Sequence, residues 1–174
     1  MDDKPSLREG KPADALCLGV LAMQVFLDTY ATEGIRPDLA REALQHYGPA
    51  AFAARLADPS LCFILAERHG HLLGFAEVQA TAAAATAQSM AGVELIRLYI
   101  QRHAQRQGLG QALLRAAEQL ARVRKSPNLW LTAWVGNRNA CDFYTAQGYR
   151  EAGMTEYVFE GQAYLNRIYM KELG

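Results

Sequence analysis

Apolar and polar positions divide the first half of the chain into short helices followed by a pair of strands. A short extended piece near residues 6–8 precedes Pro12. Beyond it Leu16, Val20, Met23 and Leu27 recur at helical spacing and predict a helix with those four residues turned inward. Arg36-Pro37-Asp38 reads as the start of a second helix, because Pro fits a first turn. Gly48-Pro49 interrupts it and opens another segment through Leu56, and Asp58-Pro59 closes the helical region. The runs LCFILAE and HLLGFAEVQ flank His69-Gly70 and predict a β-hairpin. Residues 80–92, ATAAAATAQSMAG, lack a large apolar stripe and read as a flexible connector.

The second half has a stronger pattern. Residues 93–100, VELIRLYI, are β-branched and aromatic enough for a strand. A polar link leads to Gly108-Leu109-Gly110, and Leu109, Leu113, Ala116, Leu120 and Val123 mark a helix through about residue 124. A strand over 129–135 and a helix over 137–147 follow, the helix ended by Gly148. Strands over 149–159 and 164–173 flank Glu160-Gly161 as a second hairpin. The strand–helix–strand unit implies a parallel pair with a right-handed crossover, and the hairpins add antiparallel neighbours. The fold class is therefore α/β, a mixed sheet with helices on both faces.

Composition narrows the possibilities. A chain of 174 residues with 51% hydrophobic and 21% charged residues suits one domain able to bury a core without metal or disulfide. No apolar run is expected to reach the roughly 18 residues of a membrane helix, and the polar start MDDKPSLREG is not a signal peptide. Cys17, Cys62 and Cys141 are odd in number and far apart, which fits a reducing cytoplasm. The net charge of zero argues against nucleic-acid binding, yet it hides an asymmetry. Residues 97–125 hold seven Lys/Arg and one acid, whereas residues 1–96 hold seven Lys/Arg and twelve acids. A basic centre of this kind suits an anion site, and a solvated arginine-rich helix face accounts for the same count.

Gly108 and Gly110 stand between a strand and a helix start. Backbone N–H groups there have no intrahelical partner, and missing Cβ atoms let a phosphate approach. A tight turn without a ligand gives the same pattern. The turn is not a P-loop, since Gln111-Ala112 follow Gly110, nor a dinucleotide fingerprint, since Leu113 occupies the third small position.

The stretch Gln105-Arg106-Gln107-Gly108-Leu109-Gly110 resembles the Q/R-x-x-G-x-G/A signature of the GCN5-related N-acetyltransferases (GNAT). Asn137, Ala140, Phe143, Tyr144 and Gly148-Tyr149 repeat a second block of that family. The resemblance is strong over residues 93–150 and moderate over the last two strands. It implies a single domain over 1–174 with an acetyl-coenzyme A core at about 93–150. The fold it implies is a mixed sheet of about seven strands with a splayed parallel pair, flanked by about four helices. Glu94-Leu-Ile-Arg97-Leu-Tyr-Ile, Leu129-Trp-Leu-Thr-Ala-Trp134 and Asn166-Arg-Ile-Tyr-Met-Lys resemble the PaiA-like branch, which includes polyamine acetyltransferases. The chain departs from that branch at Val135, where an acid is expected after Trp134, and at Asn166-Arg167, where an acid is expected before the last apolar run.

The resemblance implies acetyl-coenzyme A as co-substrate and an amine, a small molecule or a peptide, as acceptor. The thioester carbonyl would meet the N–H of Leu98, and the pantetheine arm would pair with Tyr99 and Ile100. The pyrophosphate would take N–H groups from Arg106, Gln107, Gly108, Leu109, Gly110 and Gln111, and Gln105 would also belong to the cofactor site. Asn137 would hold the pantetheine arm, and Phe26 and Tyr30 would border the acceptor.

Tyr144 is the candidate general acid, because a phenol keeps its proton at neutral pH and lies two turns from Asn137; an aromatic core residue is the alternative. Glu94 is the candidate general base, with Ile96, Leu98 and Ile100 expected on its own face to raise its pKa. A charged residue at a strand's solvent end is the plainer alternative. Glu77 or water could replace it, and Arg97 and Tyr99 are read as structural. Asp28, Glu33, Asp38 and Glu156 are acids that could draw in a protonated amine or simply be solvated. No metal, membrane or nucleic-acid partner is expected; a homodimer is left open. A non-catalytic acyl-coenzyme A sensor is the rival reading.

Overall fold

The computed structural model describes residues 4–79 and 90–174. Most of the expected connector, residues 80–89, lies outside the described residues. The chain runs β1 (Ser6–Glu9), α1 (Ala15–Tyr30), α2 (Pro37–His46), α3 (Pro49–Leu56), β2 (Leu61–Arg68), β3 (His71–Gln79), β4 (Val93–Ile100), α4 (Leu109–Val123), β5 (Asn128–Trp134), α5 (Arg138–Ala146), β6 (Arg150–Phe159) and β7 (Gln162–Glu172). The seven strands form one sheet in the order β1-β2-β3-β4-β5-β7-β6. All its neighbours are antiparallel except β4 and β5.

Turn chemistry sets both hairpins. His69-Gly70 and Glu160-Gly161 each have positive φ at both positions, at 52° and 76° and at 48° and 75°. That is the two-residue turn whose twist matches paired strands.

The sheet carries a core on each face. Leu109, Leu113, Leu114, Ala117 and Ala121 of α4 pack with Val93, Leu95, Leu129 and Leu131 on one side. Leu18, Leu21, Ala22 and Phe26 of α1 join Leu39, Tyr47, Phe52, Phe63 and Phe75 on the other. The inward stripe of α1 thus differs from the expected one, with Leu16 65% and Val20 58% exposed. The helix is apolar nearly all round, so spacing alone does not select its inner face. The end of α4 shows the same correction on a smaller scale, with Val123 exposed and Ala121 buried.

Pro12–Tyr30 is 19 residues long and apolar enough by composition to cross a membrane, which corrects the expectation that no run reaches that length. Here its inner face is part of the core. Val20→Ser is expected to change unfolding free energy by less than about 0.5 kcal/mol in a denaturant titration, because that side chain is already in water.

A bulge in β4 sets which residues reach which face. Val78 opposes Leu95 while Glu77 opposes Arg97, so Ile96 is the extra residue. Val93 and Leu95 before the bulge, and Leu98 and Ile100 after it, all face the α4 core. Tyr99 and Arg97 meet the α1–α3 side, the Arg97 guanidinium lying 5.2 Å from the Tyr47 ring. Alternation from Val93 and Leu95 puts Glu94 on that side too. The expectation that Glu94 shares a face with Leu98 and Ile100 is therefore corrected.

Candidate active site

β4 and β5 are joined by only two residue pairs, Val93 with Leu129 and Glu94 with Trp130. Beyond them the strands part, and the edge of β4 from Leu95 to Ile100 has no strand on that side. Its polarity follows from one bond. Gln101 donates its N–H to the Leu73 carbonyl on the β3 side at 2.9 Å. Strand alternation then turns Tyr99 toward β3 and turns the N–H and carbonyl of Leu98 and Ile100 to the open edge. The backbone of Tyr99 is therefore unavailable to a ligand in the cleft, a correction to its expected pairing role, whereas Leu98 and the N–H of Ile100 remain available. Gln105 Nε2 donates to the Ile100 carbonyl at 3.2 Å and ties the strand end to the turn that follows.

That turn opens α4. Arg106 and Gly108 have φ of 59° and 81°, and Gly108 occupies the cap position. A Cβ on Gly108 would meet nothing within 4 Å. The first N–H groups of α4, from Leu109 to Gln111, have no carbonyl of their own helix to bind, and the helix dipole makes them attractive to an anion. Side chains brace the turn: Gln107 Nε2 donates to the His103 carbonyl at 2.9 Å, and Gln107 Oε1 accepts from Arg68 at 3.1 Å. Gln111 Nε2 donates to Gln147 Oε1 at 3.1 Å, joining α4 to α5. Gly110 has a different role from the one expected. Its Cβ would meet Ile100 at 3.2 Å and Phe143 at 3.3 Å, so its smallness serves packing instead of phosphate approach.

Gly108 is thus the sharper probe of the turn. An alanine there costs about 1–2 kcal/mol in the left-handed region, and relief of that strain moves the N–H groups. Gly108→Ala is expected to raise the dissociation constant for coenzyme A about tenfold. Calorimetry checks this, and unchanged affinity in a folded variant would remove the phosphate-cradle reading.

Asn137 caps α5, its Oδ1 accepting from the Ala140 N–H at 3.2 Å, which leaves its amide nitrogen as the donor for a ligand. Tyr144 is 8% exposed, with its ring 5.2 Å from Phe143, 5.9 Å from Tyr149 and 6.0 Å from Tyr169. Burial pushes its phenol above the usual range, so it holds its proton firmly. Cys141 on the same helix is buried and its Sγ lies 3.7 Å from the Trp134 carbonyl, a packing role.

Glu94 is half-buried, and its carboxyl is raised by burial first and by the charge of Glu77 second, against the pull of Arg97 and Arg55. The expected direction holds and burial is its first cause, but Leu98 and Ile100 are not among the residues on its face. Glu77 is fully buried, accepts from Arg55 Nε at 2.6 Å and from Arg97 at 2.5 Å, and so has each carboxylate oxygen engaged. That locks Glu77 as an internal counter-ion.

On the α1 side an aromatic wall lines this half of the sheet. Tyr30 lies 5.3 Å from Trp134 and 5.0 Å from Tyr164, centroid to centroid. Phe26 is fully buried and stacks on Tyr47 at 4.3 Å, so it supports the wall from behind and does not border the acceptor. Glu156 is exposed and alternates to the opposite face from Tyr157, and Asp38 is bound to Arg36 at 3.0 Å. An acid that does reach this side is Glu42 of α2. It is 8% exposed, accepts from the Tyr157 hydroxyl at 2.6 Å, and borders a cleft of about 740 Å³ with Tyr47 and Arg97. Sequence reasoning passes over Glu42, Tyr47 and Tyr157. For Glu42 the signal is a helical spacing that puts it with Leu39 and Ala43 on one buried face.

Residues 26–149, more than half of the chain, match the Acetyltransferase (GNAT) family. An uncharacterized N-acetyltransferase of Lactobacillus delbrueckii subsp. lactis is 26% identical over 80% of this chain and 79% of its own length. The uncharacterized N-acetyltransferase YhfO of Bacillus subtilis is 28% identical over 84% and 90%. The PaiA N-acetyltransferase of Thermoplasma acidophilum, solved in complex with coenzyme A, superposes with a TM-score of 0.78 at 18% identity, covering 97% of this chain and 99% of its own. With residues 26–149 matched by the family and the overall fold shared with such enzymes, the chain belongs to the GNAT acetyltransferase family.

Proposed function

We propose that the chain, as one domain, transfers acetyl from acetyl-coenzyme A to a primary amine, either a small molecule such as a polyamine or a peptide amine. The observation that carries this reading is the unpaired edge of β4 at Leu98 and Ile100, which leads directly to the N–H groups behind Gly108. The open space at Gly108 fits a pyrophosphate, and the open edge fits an extended pantetheine arm. The coenzyme A complex of the Thermoplasma protein supports the same cofactor here. The three free cysteines support a cytoplasmic setting.

When bound, the co-substrate supplies an acyl group activated as a thioester. The chain's residues then have four tasks. The N–H groups from Leu109 to Gln111 fix the pyrophosphate, and Asn137 Nδ2 together with Ile100 hold the pantetheine arm. The Leu98 N–H stabilises the carbonyl oxygen as negative charge gathers on it. Glu94 removes a proton from the amine, directly or through one water, and its raised pKa makes it a better base than an exposed glutamate. The Tyr144 hydroxyl donates its proton to the departing sulfur, a role that suits a phenol kept neutral by burial.

The test is release of coenzyme A thiol from acetyl-coenzyme A with a panel of polyamines, amino acids, amino-acid amides and peptide N-termini. Acceptor-dependent release is expected with at least one class. Tight coenzyme A binding with no release across the panel would favour a sensor module over an enzyme.

A further inference from the structure

Asn166 of β7 is 7% exposed, and its Oδ1 is buried with no hydrogen-bond partner. Native proteins rarely leave a buried carbonyl oxygen in this state, and those that do commonly present it to a ligand or an ordered water. Its position selects between these. Asn166 stands directly opposite Trp134 on β5 and Thr155 on β6. Strand alternation puts it on one face with Tyr164 and Ile168. Trp134 and Tyr164 are both in ring contact with Tyr30, 5.3 and 5.0 Å away. Trp134 ends the arm of β5 that has parted from β4, so Asn166, its direct partner, lies on the same face of that arm beside the split.

We propose that Asn166 is a specificity-determining residue that reads a neutral amide on the acceptor. The acceptor is then an amine carrying a carboxamide or peptide group within reach, and not an aliphatic diamine. The inference rests on the acetyl-transfer reading above and names its substrate class. The reasoning is one of chemical match. A carboxamide offers one acceptor oxygen and one donor nitrogen, the complement of another amide. A second ammonium brought to Asn166 would meet a neutral oxygen, and the residues directly opposite, Trp134 and Thr155, carry no charge to compensate it. The flanking rings of Trp134 and Tyr164 can cover the planar face of an amide while their edges exclude water.

Two probes of similar length separate the cases: glycinamide, an amine with a carboxamide, and 1,3-diaminopropane, an amine with a second ammonium. Binding to the coenzyme A-loaded protein is measured by calorimetry and turnover by thiol release, for wild type, Asn166→Asp and Asn166→Leu. Wild type is expected to favour glycinamide by about tenfold or more, as a site built for a hydrogen-bonding partner does. Asn166→Asp is expected to reverse the order through KM and binding, with kcat for each probe largely kept. Asn166→Leu removes the orphan oxygen, guards against misfolding of the charged variant, and is expected to abolish the preference with coenzyme A affinity and Tm retained. No glycinamide binding, equal binding of both probes by wild type, or a ratio unmoved by both substitutions overturns the inference. The expected binding ratios with no thiol released from either probe would instead overturn acetyl transfer and leave the role of Asn166 standing.

Discussion

Glu94→Gln is expected to lower kcat about a hundredfold or more while leaving coenzyme A affinity nearly intact, since the amide keeps the shape and loses the base. The wild-type pH profile carries the same information. Burial and the neighbouring charge of Glu77 raise the Glu94 carboxyl, and in the proposed mechanism its deprotonated form is the active one. The rate therefore rises with pH through an apparent pKa above the ordinary glutamate value of about 4.3. In Glu94→Gln that limb disappears, and a more basic medium restores part of the activity because solution then deprotonates the amine. Initial rates across pH check this. A carboxylate that only attracts the cationic acceptor behaves otherwise: KM rises, kcat stays, and added salt shrinks the difference. Such a result would reject the base role and keep Glu94 as a recognition residue.

Tyr144→Phe is expected to lower turnover by about ten- to a thousandfold, the scale of a lost general acid. The fold and coenzyme A binding should survive, because what the core uses is the ring. That ring lies among Phe143, Tyr149 and Tyr169, and Phe preserves each of those contacts. No described residue supplies a hydrogen bond that the hydroxyl would forfeit, so a loss of stability is not the expected cause of a slower reaction. Single-turnover rates, measured where chemistry limits, distinguish the outcomes. Wild-type rates in this variant would make Tyr144 a core residue only, as its 8% exposure alone would suggest.

Much of this architecture is legible along the chain where local chemistry decides. His69-Gly70 and Glu160-Gly161 announce their hairpins, and Gly108 announces the turn ahead of α4, because few residues tolerate positive φ. The right-handed crossover and the mixed sheet follow from element order. What escapes is whatever depends on partners distant in sequence. Leu16 and Val20 are as apolar as Leu18 and Leu21, so only the position of the sheet and of α3 settles which pair is buried. The extra residue at Ile96 leaves no mark in the sequence of β4, yet it moves Glu94 to the side of Arg97. Glu77 looks as suitable a base as Glu94 until Arg55 and Arg97 are found on it. Tyr99 loses its expected role to strand parity, and Phe26 loses its own to complete burial.

The two pairs that join β4 to β5 also bear on mechanics. The sheet is two plates, β1-β2-β3-β4 and β5-β7-β6, stitched along a seam two residues long. Each plate is stiffened by long antiparallel ladders, while the seam relies on α4 and the buried side chains of Val93 and Leu129 to keep its angle. An extended molecule lying along the free edge at Leu98 and Ile100 becomes a rung where the protein has none. On the proposed reading, the substrate that brings the acyl group also splints the joint that positions it.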